Sequence, residues 1–221
     1  MSLRNVFVRM VYADHNNSKS VRNAIDRLLA NYKVGSIILN IGSGDQRIRE
    51  DIRNLDIFPG PNVDIVGSAE KIPLEDSSVD LILSQEAFEH IPNAKLALSE
   101  CRRCLKKDGK IYFQVPFIIG YHPGPTDFIR FSREGVVEFL ESSGFAVDEI
   151  NITVGGATGF YRIAVEFFAI LFSGPISRLY IPFKSLFSIL LYPCKFLDPW
   201  FNLSKQRDRI PGGYYAIARR L

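Results

Sequence analysis

The string SIILNIGSG at residues 36–44 constrains the fold more than any other segment. A run of isoleucine and leucine without alternating polar positions is the pattern of a strand buried on both faces, and this one halts at Gly42-x-Gly44. Such a strand needs like neighbours beside it and helices above and below, which implies an α/β chain built on a parallel sheet. Gly42 and Gly44 lack Cβ atoms and accept positive φ, so main-chain groups there can approach a ligand closely. A tight turn with no ligand uses the same residues, so the pair alone does not decide between them. A dinucleotide-binding loop would carry a third glycine at position 47, where this chain has Arg47, and that counts against a nicotinamide-dependent dehydrogenase.

The rest of the chain repeats the strand and helix rhythm. Residues 18–33 place Val21, Ile25, Leu28 and Leu29 on one helical stripe, with Ser18 or Ser20 as cap. Weaker strands are expected at 54–57 and 62–66, and a clear buried one in SVDLILS at 78–84. A helix over 93–107 is expected to end on KKDG, with the glycine in the C-terminal position. KIYFQV at 110–115 then stops at Pro116. Ser132 caps a helix carrying Val136, Val137, Phe139 and Leu140, and residues 145–154 return as a strand. Residues 156–205 break the rhythm, being aromatic, apolar and dotted with single basic residues, before a last strand at 212–220. The reading is one domain over residues 1–221, with a core at 18–154 and an apolar insertion or lid at 156–205. Ligands of such sheets bind beyond the carboxyl ends of the strands.

With 47% hydrophobic and only 23% charged residues, the chain can bury a core and is not of the disordered class. Cys101, Cys104 and Cys194 form no dense pattern, and Cys101-x-x-Cys104 lies in a helical register without a second pair. Ordinary thiols in a reducing cytoplasm fit better than a disulfide frame or a zinc site. The net charge of +3 is too small to imply nucleic acid, but it is unevenly spread. From Phe160 onward nine Lys/Arg face three acids. The longest uncharged stretch there, Phe167 to Ser177, is well short of the roughly 20 residues that span a bilayer, and Gly174-Pro175 interrupts it.

One stretch carries a family signature. AEKIPLEDSSVDLILSQEAFEHIPN at 69–93, with the glycine loop before it and LSECRRCLKKDGKIYFQVP at 98–116 after it, resembles class I S-adenosylmethionine-dependent methyltransferases of the small-molecule type 11 sort. The likeness covers roughly residues 36 to 154, and GYHPGPTDFIRFSREG at 120–135 resembles a subgroup from surface-glycan and lipid-linked saccharide pathways. The resemblance implies a Rossmann-like seven-stranded, mostly parallel sheet in the order 3-2-1-4-5-7-6. Helices would cover both faces, with an apolar helical insertion before the last strand.

It also implies S-adenosylmethionine as cofactor and methyl transfer to a small-molecule or glycan- or lipid-linked acceptor, most naturally at oxygen. By the same likeness, Gly42, Ser43 and Gly44 would line the methionine and ribose portion, and Asp56 would accept both ribose hydroxyls. Ile57 would pack on the adenine, Ala69 would offer its N–H to a ring nitrogen, and Ser84 with Gln85 would flank the methionine end. Asn40 and Ser68 stand where the family usually has aspartate, which weakens two polar contacts. Asp56 follows Gly42 by only fourteen positions, so the first crossover helix is expected to shrink to one or two turns over 45–53.

Methyl transfer from a sulfonium needs positioning, and a base only where the nucleophile starts protonated. The base candidates are His122 and His90, since His15 lies ahead of the sheet; His122 is favoured, with Asp127 and Arg130 binding acceptor or bracing the loop. Quinone-pathway O-methyltransferases bind a divalent metal with a string like Glu86-x-x-Glu89-His90, but no metal is expected here. A membrane or lipid-linked acceptor is one reading of residues 160–201, and a lid or homodimer contact is the other. The competing function is a catalytically degenerate scaffold that kept the fold while Asn40 and Ser68 eroded the cofactor site. No nucleic-acid partner is expected, because the core shows no basic stripe with aromatic stacking partners.

Overall fold

The computed structural model describes residues 15–33 and 35–221. Helix α1 (Lys19–Leu29) buries Val21, Ala24, Ile25, Leu28 and Leu29, and the Ser18 hydroxyl accepts from Val21 N at 3.2 Å to cap it. Then follow β1 (Ile38–Ile41), β2 (Arg53–Asp56), β3 (Ile65–Val66), β4 (Val79–Gln85), α2 (Ala94–Cys104), β5 (Leu105–Pro116), α3 (Arg133–Glu141) and β6 (Phe145–Ile152). Helices α4 (Gly156–Ser173), α5 (Tyr180–Leu191) and α6 (Asp198–Phe201) precede β7 (Gly213–Arg220).

The strands form one mixed seven-stranded sheet in the order β3-β2-β1-β4-β5-β7-β6, the order the resemblance implied. β1 pairs in parallel with β2 and β4, and all four of its residues are buried, as its unbroken apolar run requires. Ser132 caps α3 as expected, its hydroxyl accepting from Gly135 N at 3.2 Å.

The chain divides into two compact units. One holds Phe117–Tyr121, Ile152–Gly213 and the described residues up to Val21; the other holds Arg22–Pro116, His122–Asn151 and Tyr214–Leu221. The first contains α4, α5 and α6, so the segment that breaks the sequence rhythm is helical. Helix α4 is 18 residues long and apolar enough to cross a membrane by length and composition, with half of it buried in the fold. The uninterrupted apolar run is shorter than this helix, because Arg162 and Glu166 lie within it.

Two local expectations are corrected. KKDG at 106–109 does not close a helix: α2 ends at Cys104, and Leu105 is already extended. Leu105 pairs with Val79 and Lys110 with Leu81, so the KKDG residues bulge out of the ladder. Asp108 takes φ 62° there, and a Cβ on Gly109 would lie 2.9 Å from the Lys106 carbonyl. The glycine serves a close approach within a strand, not a helix cap.

The second correction concerns the crossover from β1 to β2, which contains turns and no helix at all. Polar side chains replace the missing element. Asn54 is fully buried, and its amide donates to Gln46 O at 2.9 Å and Asn62 O at 2.8 Å while its oxygen accepts from Asn40 at 3.1 Å. Arg47 donates to Ile52 O at 3.1 Å and Asn62 O at 3.0 Å, and pairs with Asp64 at 2.9 Å. The residue that excluded a third glycine therefore braces the loop.

Removing the Asn54 amide would strand two carbonyls and the Asn40 donor. Asn54→Ala is expected to lower unfolding free energy by about 2–3 kcal/mol, read as a lower urea midpoint at unchanged slope.

Candidate active site

A cavity of about 660 Å³ opens at the carboxyl ends of β1, β2 and β4, within the size range of small-molecule sites. Gly42 and Gly44 form its floor, and both take positive φ, 67° and 50°. Gly42 is required twice over, because a Cβ there would lie 2.3 Å from the Ala87 Cβ. At Gly44 a Cβ would meet open space, so the bend is bare on the cavity side. The Asp56 carboxylate accepts from Gly44 N at 2.8 Å and from Phe58 N at 3.0 Å. These two bonds fix it at the bend and leave acceptor capacity unused.

Ile57 and Phe58 follow on the same wall, 59% and 56% exposed, an apolar face beside a carboxylate. Ser68 and Ala69 close the far side; the Ser68 hydroxyl accepts from Glu70 N at 3.1 Å. Asn40, Ser43, Ser84 and Gln85 do not line the cavity. Asn40 is buried with its amide bound to Asn54, Ser43 donates to Gly44 O at 3.3 Å, and Ser84 is buried with no partner for its hydroxyl among the described residues. Phe58 and Glu86 also line the cavity, beyond the cofactor residues that the resemblance implied. The Ile57-Phe58-Pro59 run after Asp56 was the available signal for the first; the φ of 50° that sets Glu86 on the rim has none.

Beside the rim sits a cluster of titratable groups. His90 lines the cavity, and His122 stands edge-on to it with ring centroids 5.2 Å apart. Glu89 is fully buried between them, its Oε1 3.7 Å from His90 Nε2 and 3.9 Å from His122 Nε2, and neither of its oxygens has a hydrogen-bond partner among the described residues. Burial, then the charge of Glu86, pushes this carboxyl up to about 8. Asp127 forms a two-point ion pair with Arg130, one bond at 2.6 Å, and accepts from His122 N at 3.0 Å. The Arg130 guanidinium holds the Asp127 carboxyl down to about 2. This pair braces the loop.

The partners of the two imidazoles fix their tautomers. His90 Nδ1 faces the Thr126 carbonyl, which can only accept, so Nδ1 carries the proton and Nε2 the lone pair. His122 Nδ1 faces Arg130 at 3.2 Å, which can only donate, so the proton of neutral His122 lies on Nε2. The geometry thus leaves a lone pair on His90 Nε2 and a proton on Nε2 of neutral His122. Glu89, His90 and His122 also have mutual spacings that could hold a metal ion, their ligand atoms lying within 4.8 Å of one another. Arg130 opposes that use, because ligation through His122 Nε2 would require its proton to move to the nitrogen Arg130 occupies.

Residues 41–113 match the family model described as a methyltransferase domain. A Mycolicibacterium smegmatis protein named "Probable S-adenosylmethionine-dependent methyltransferase" is 31% identical over 96 residues, covering 40% of this chain and 37% of that one. Malonyl-[acyl-carrier protein] O-methyltransferase of Methylococcus capsulatus is 47% identical over 49 residues, 22% of this chain and 18% of that protein. The chain therefore spans well under half the length of these curated relatives. Among solved structures, Haemonchus contortus phosphoethanolamine N-methyltransferase 2 in complex with S-adenosyl-L-methionine aligns over 100% of this chain and 60% of its own, with a TM-score of 0.53 at 15% identity, which shows a shared fold.

Two outcomes follow from the geometry. Gly42→Ala combines a clash with Ala87 and positive φ, and is expected to cost on the order of 3 kcal/mol; Gly44→Ala meets only the φ cost of about 1–2 kcal/mol, and thermal melts of the two variants will separate them. Glu89 binds its proton more tightly folded than unfolded, so native stability falls as pH rises from the unfolded carboxyl range through about 8. Glu89→Gln should melt several degrees above the parent near pH 9 and lose that advantage near pH 5.

Proposed function

We propose, taking the methyltransferase domain over residues 41–113 as premise, that the chain transfers a methyl group from S-adenosylmethionine to a small-molecule or glycan- or lipid-linked acceptor, at oxygen. The observation that carries this reading is the Asp56 carboxylate held 2.8 Å from Gly44 N at the mouth of a cavity with a bare glycine floor. That arrangement offers an anion for ribose hydroxyls, main-chain groups for the methionine end and the Ile57–Phe58 wall for a purine. S-adenosylmethionine, when bound, supplies an electrophilic methyl on a sulfonium.

The remaining chemistry belongs to the chain. Gly42, Gly44 and Asp56 would hold the cofactor that supplies the methyl group, and His90 Nε2 would take the proton of the acceptor hydroxyl. Glu89, buried beside His90 with its Oε1 3.7 Å from His90 Nε2, positions the imidazole. His122, Asp127 and Arg130 position the loop. Oxygen is favoured because a hydroxyl, unlike a free amine, begins protonated and needs such a base. The scaffold reading is supported by Asn40, whose amide is bound to Asn54 within the fold, and by Ser68, which lines the cavity with its hydroxyl already engaged by Glu70 N.

Titration calorimetry with S-adenosylhomocysteine separates the two. Saturable binding, weakened about 10–100-fold in Asp56→Ala, supports the enzyme. No heat at about millimolar ligand, where binding is worth only about 4 kcal/mol, supports the scaffold. Across a panel of hydroxylated acceptors, His90→Gln is expected to lower kcat by about 10²–10⁴-fold with cofactor affinity unchanged. Equal loss in His122→Gln, or activity abolished by chelators, would overturn the assignment of the base.

A further inference from the structure

Helix α5 is apolar on its outward face as well as its inward one: Phe183 and Phe187 pack against Phe172 of α4 and Ser188 is buried, while Ile181, Leu186, Ile189 and Leu190 face outward, each between 45% and 62% exposed. Helix α4 is likewise apolar on both faces. Its inner face is Ala157, Ala164, Val165 and Ala169, and its outer face is Phe160, Ile163, Phe167 and Ile170 at helical spacing. Beyond them Phe196, Trp200 and Leu203 are 71%, 76% and 80% exposed. A helix whose apolar stripe points away from its own core is arranged for a non-aqueous neighbour, and an exposed apolar surface of this extent marks an interaction site.

The charges of the same unit identify the neighbour. Between Ile152 and Gly213 there are seven Lys/Arg and three acids. Of the acids, Glu166 pairs with Lys184 at 2.5 Å and accepts from the Tyr180 hydroxyl. Asp198 accepts from Ala157 N at 2.9 Å and Thr158 N at 3.1 Å, capping α4. Two of the three negative charges are thus engaged inside the unit, and the outward field is positive. A second copy of this chain would set like charge against like. We propose that the outer faces of α4 and α5, with Trp200, form a docking surface for an anionic bilayer, lying in the plane of its headgroups.

Crossing the bilayer is disfavoured by the same geometry. Eighteen residues of α4 reach about 27 Å, short of a hydrocarbon core of about 30 Å, and its inner face is committed to its own unit. The cytoplasmic leaflet carries anionic lipid of the kind required, and basic side chains can reach its headgroups while their stems lie on apolar surface. This surface shares no residue with the proposed cofactor cavity, so docking and methyl transfer are tested independently.

Trp200 is the only tryptophan of the chain, which makes the test direct. The purified full chain is mixed with vesicles of phosphatidylcholine alone or with phosphatidylserine added. Co-sedimentation with the anionic vesicles that weakens as salt is raised, with a blue shift of the tryptophan emission, is the expected result. Phe167→Ser and Ile170→Ser should each lower partitioning about tenfold, with S-adenosylhomocysteine affinity and melting temperature unchanged as evidence of folding. No sedimentation with anionic vesicles, no emission shift, or a stable dimer in light scattering that both variants dissolve would overturn the proposal. Extraction that requires detergent after binding would also overturn it, in favour of a spanning α4.

Discussion

Between β1 and β2 the chain crosses over without a helix, and the buried side-chain amide of Asn54 makes that possible. A parallel pair needs a connection long enough to return to the same end of the sheet, and a helix normally supplies it while satisfying its own backbone. Here the backbone carbonyls of Gln46 and Asn62 find their partner on the second strand. Because Asn54 lies two residues before Asp56, the group that secures the crossover also sets the height of the carboxylate above the glycine bend. Asn40 completes the arrangement by sitting opposite Asn54 in the register, which explains a polar residue in an otherwise apolar strand.

A different balance governs the rim. Glu89 is sealed from water without a donor for either oxygen among the described residues, an expensive condition that folding alone would remove by substitution. It persists between two histidines whose outer nitrogens are pinned by a carbonyl on one side and a guanidinium on the other. The asymmetry of those two partners separates the roles of two otherwise similar side chains. Fixed tautomers of this kind arise from loop geometry, since Thr126 and Arg130 belong to the segment after β5.

Much of the fold was legible because burial on both faces leaves an unmistakable mark: β1, β4 and the β7 core read as continuous apolar runs and proved to be strands. KKDG misled because Gly after a lysine-rich turn suits a helix end and a strand bulge equally well, and only the contact of Gly109 with the Lys106 carbonyl distinguishes them. The absent crossover helix was half visible in the short spacing to Asp56; its replacement by Asn54 and Arg47 was not, because long-range polar bonds have no period. At the site, Gly42, Gly44, Asp56, Ile57, Ser68 and Ala69 converge on one cavity, whereas Asn40, Ser43, Ser84 and Gln85 lie behind or beside it. Which ring nitrogen of His90 and of His122 carries the proton could not be read from spacing, because it depends on which atoms face their second nitrogens.

The apolar outer face of helix α5 has a consequence for how this chain tolerates change. In an ordinary helix the outer positions accept polar residues freely and the inner ones resist them; with Phe183, Phe187 and Ser188 turned inward and isoleucine outside, a polar replacement on the exterior leaves the packed core untouched. On the proposed docking surface those exterior aliphatics answer to the medium they meet, and hydrophilic replacements there would yield a chain that folds as well and docks less.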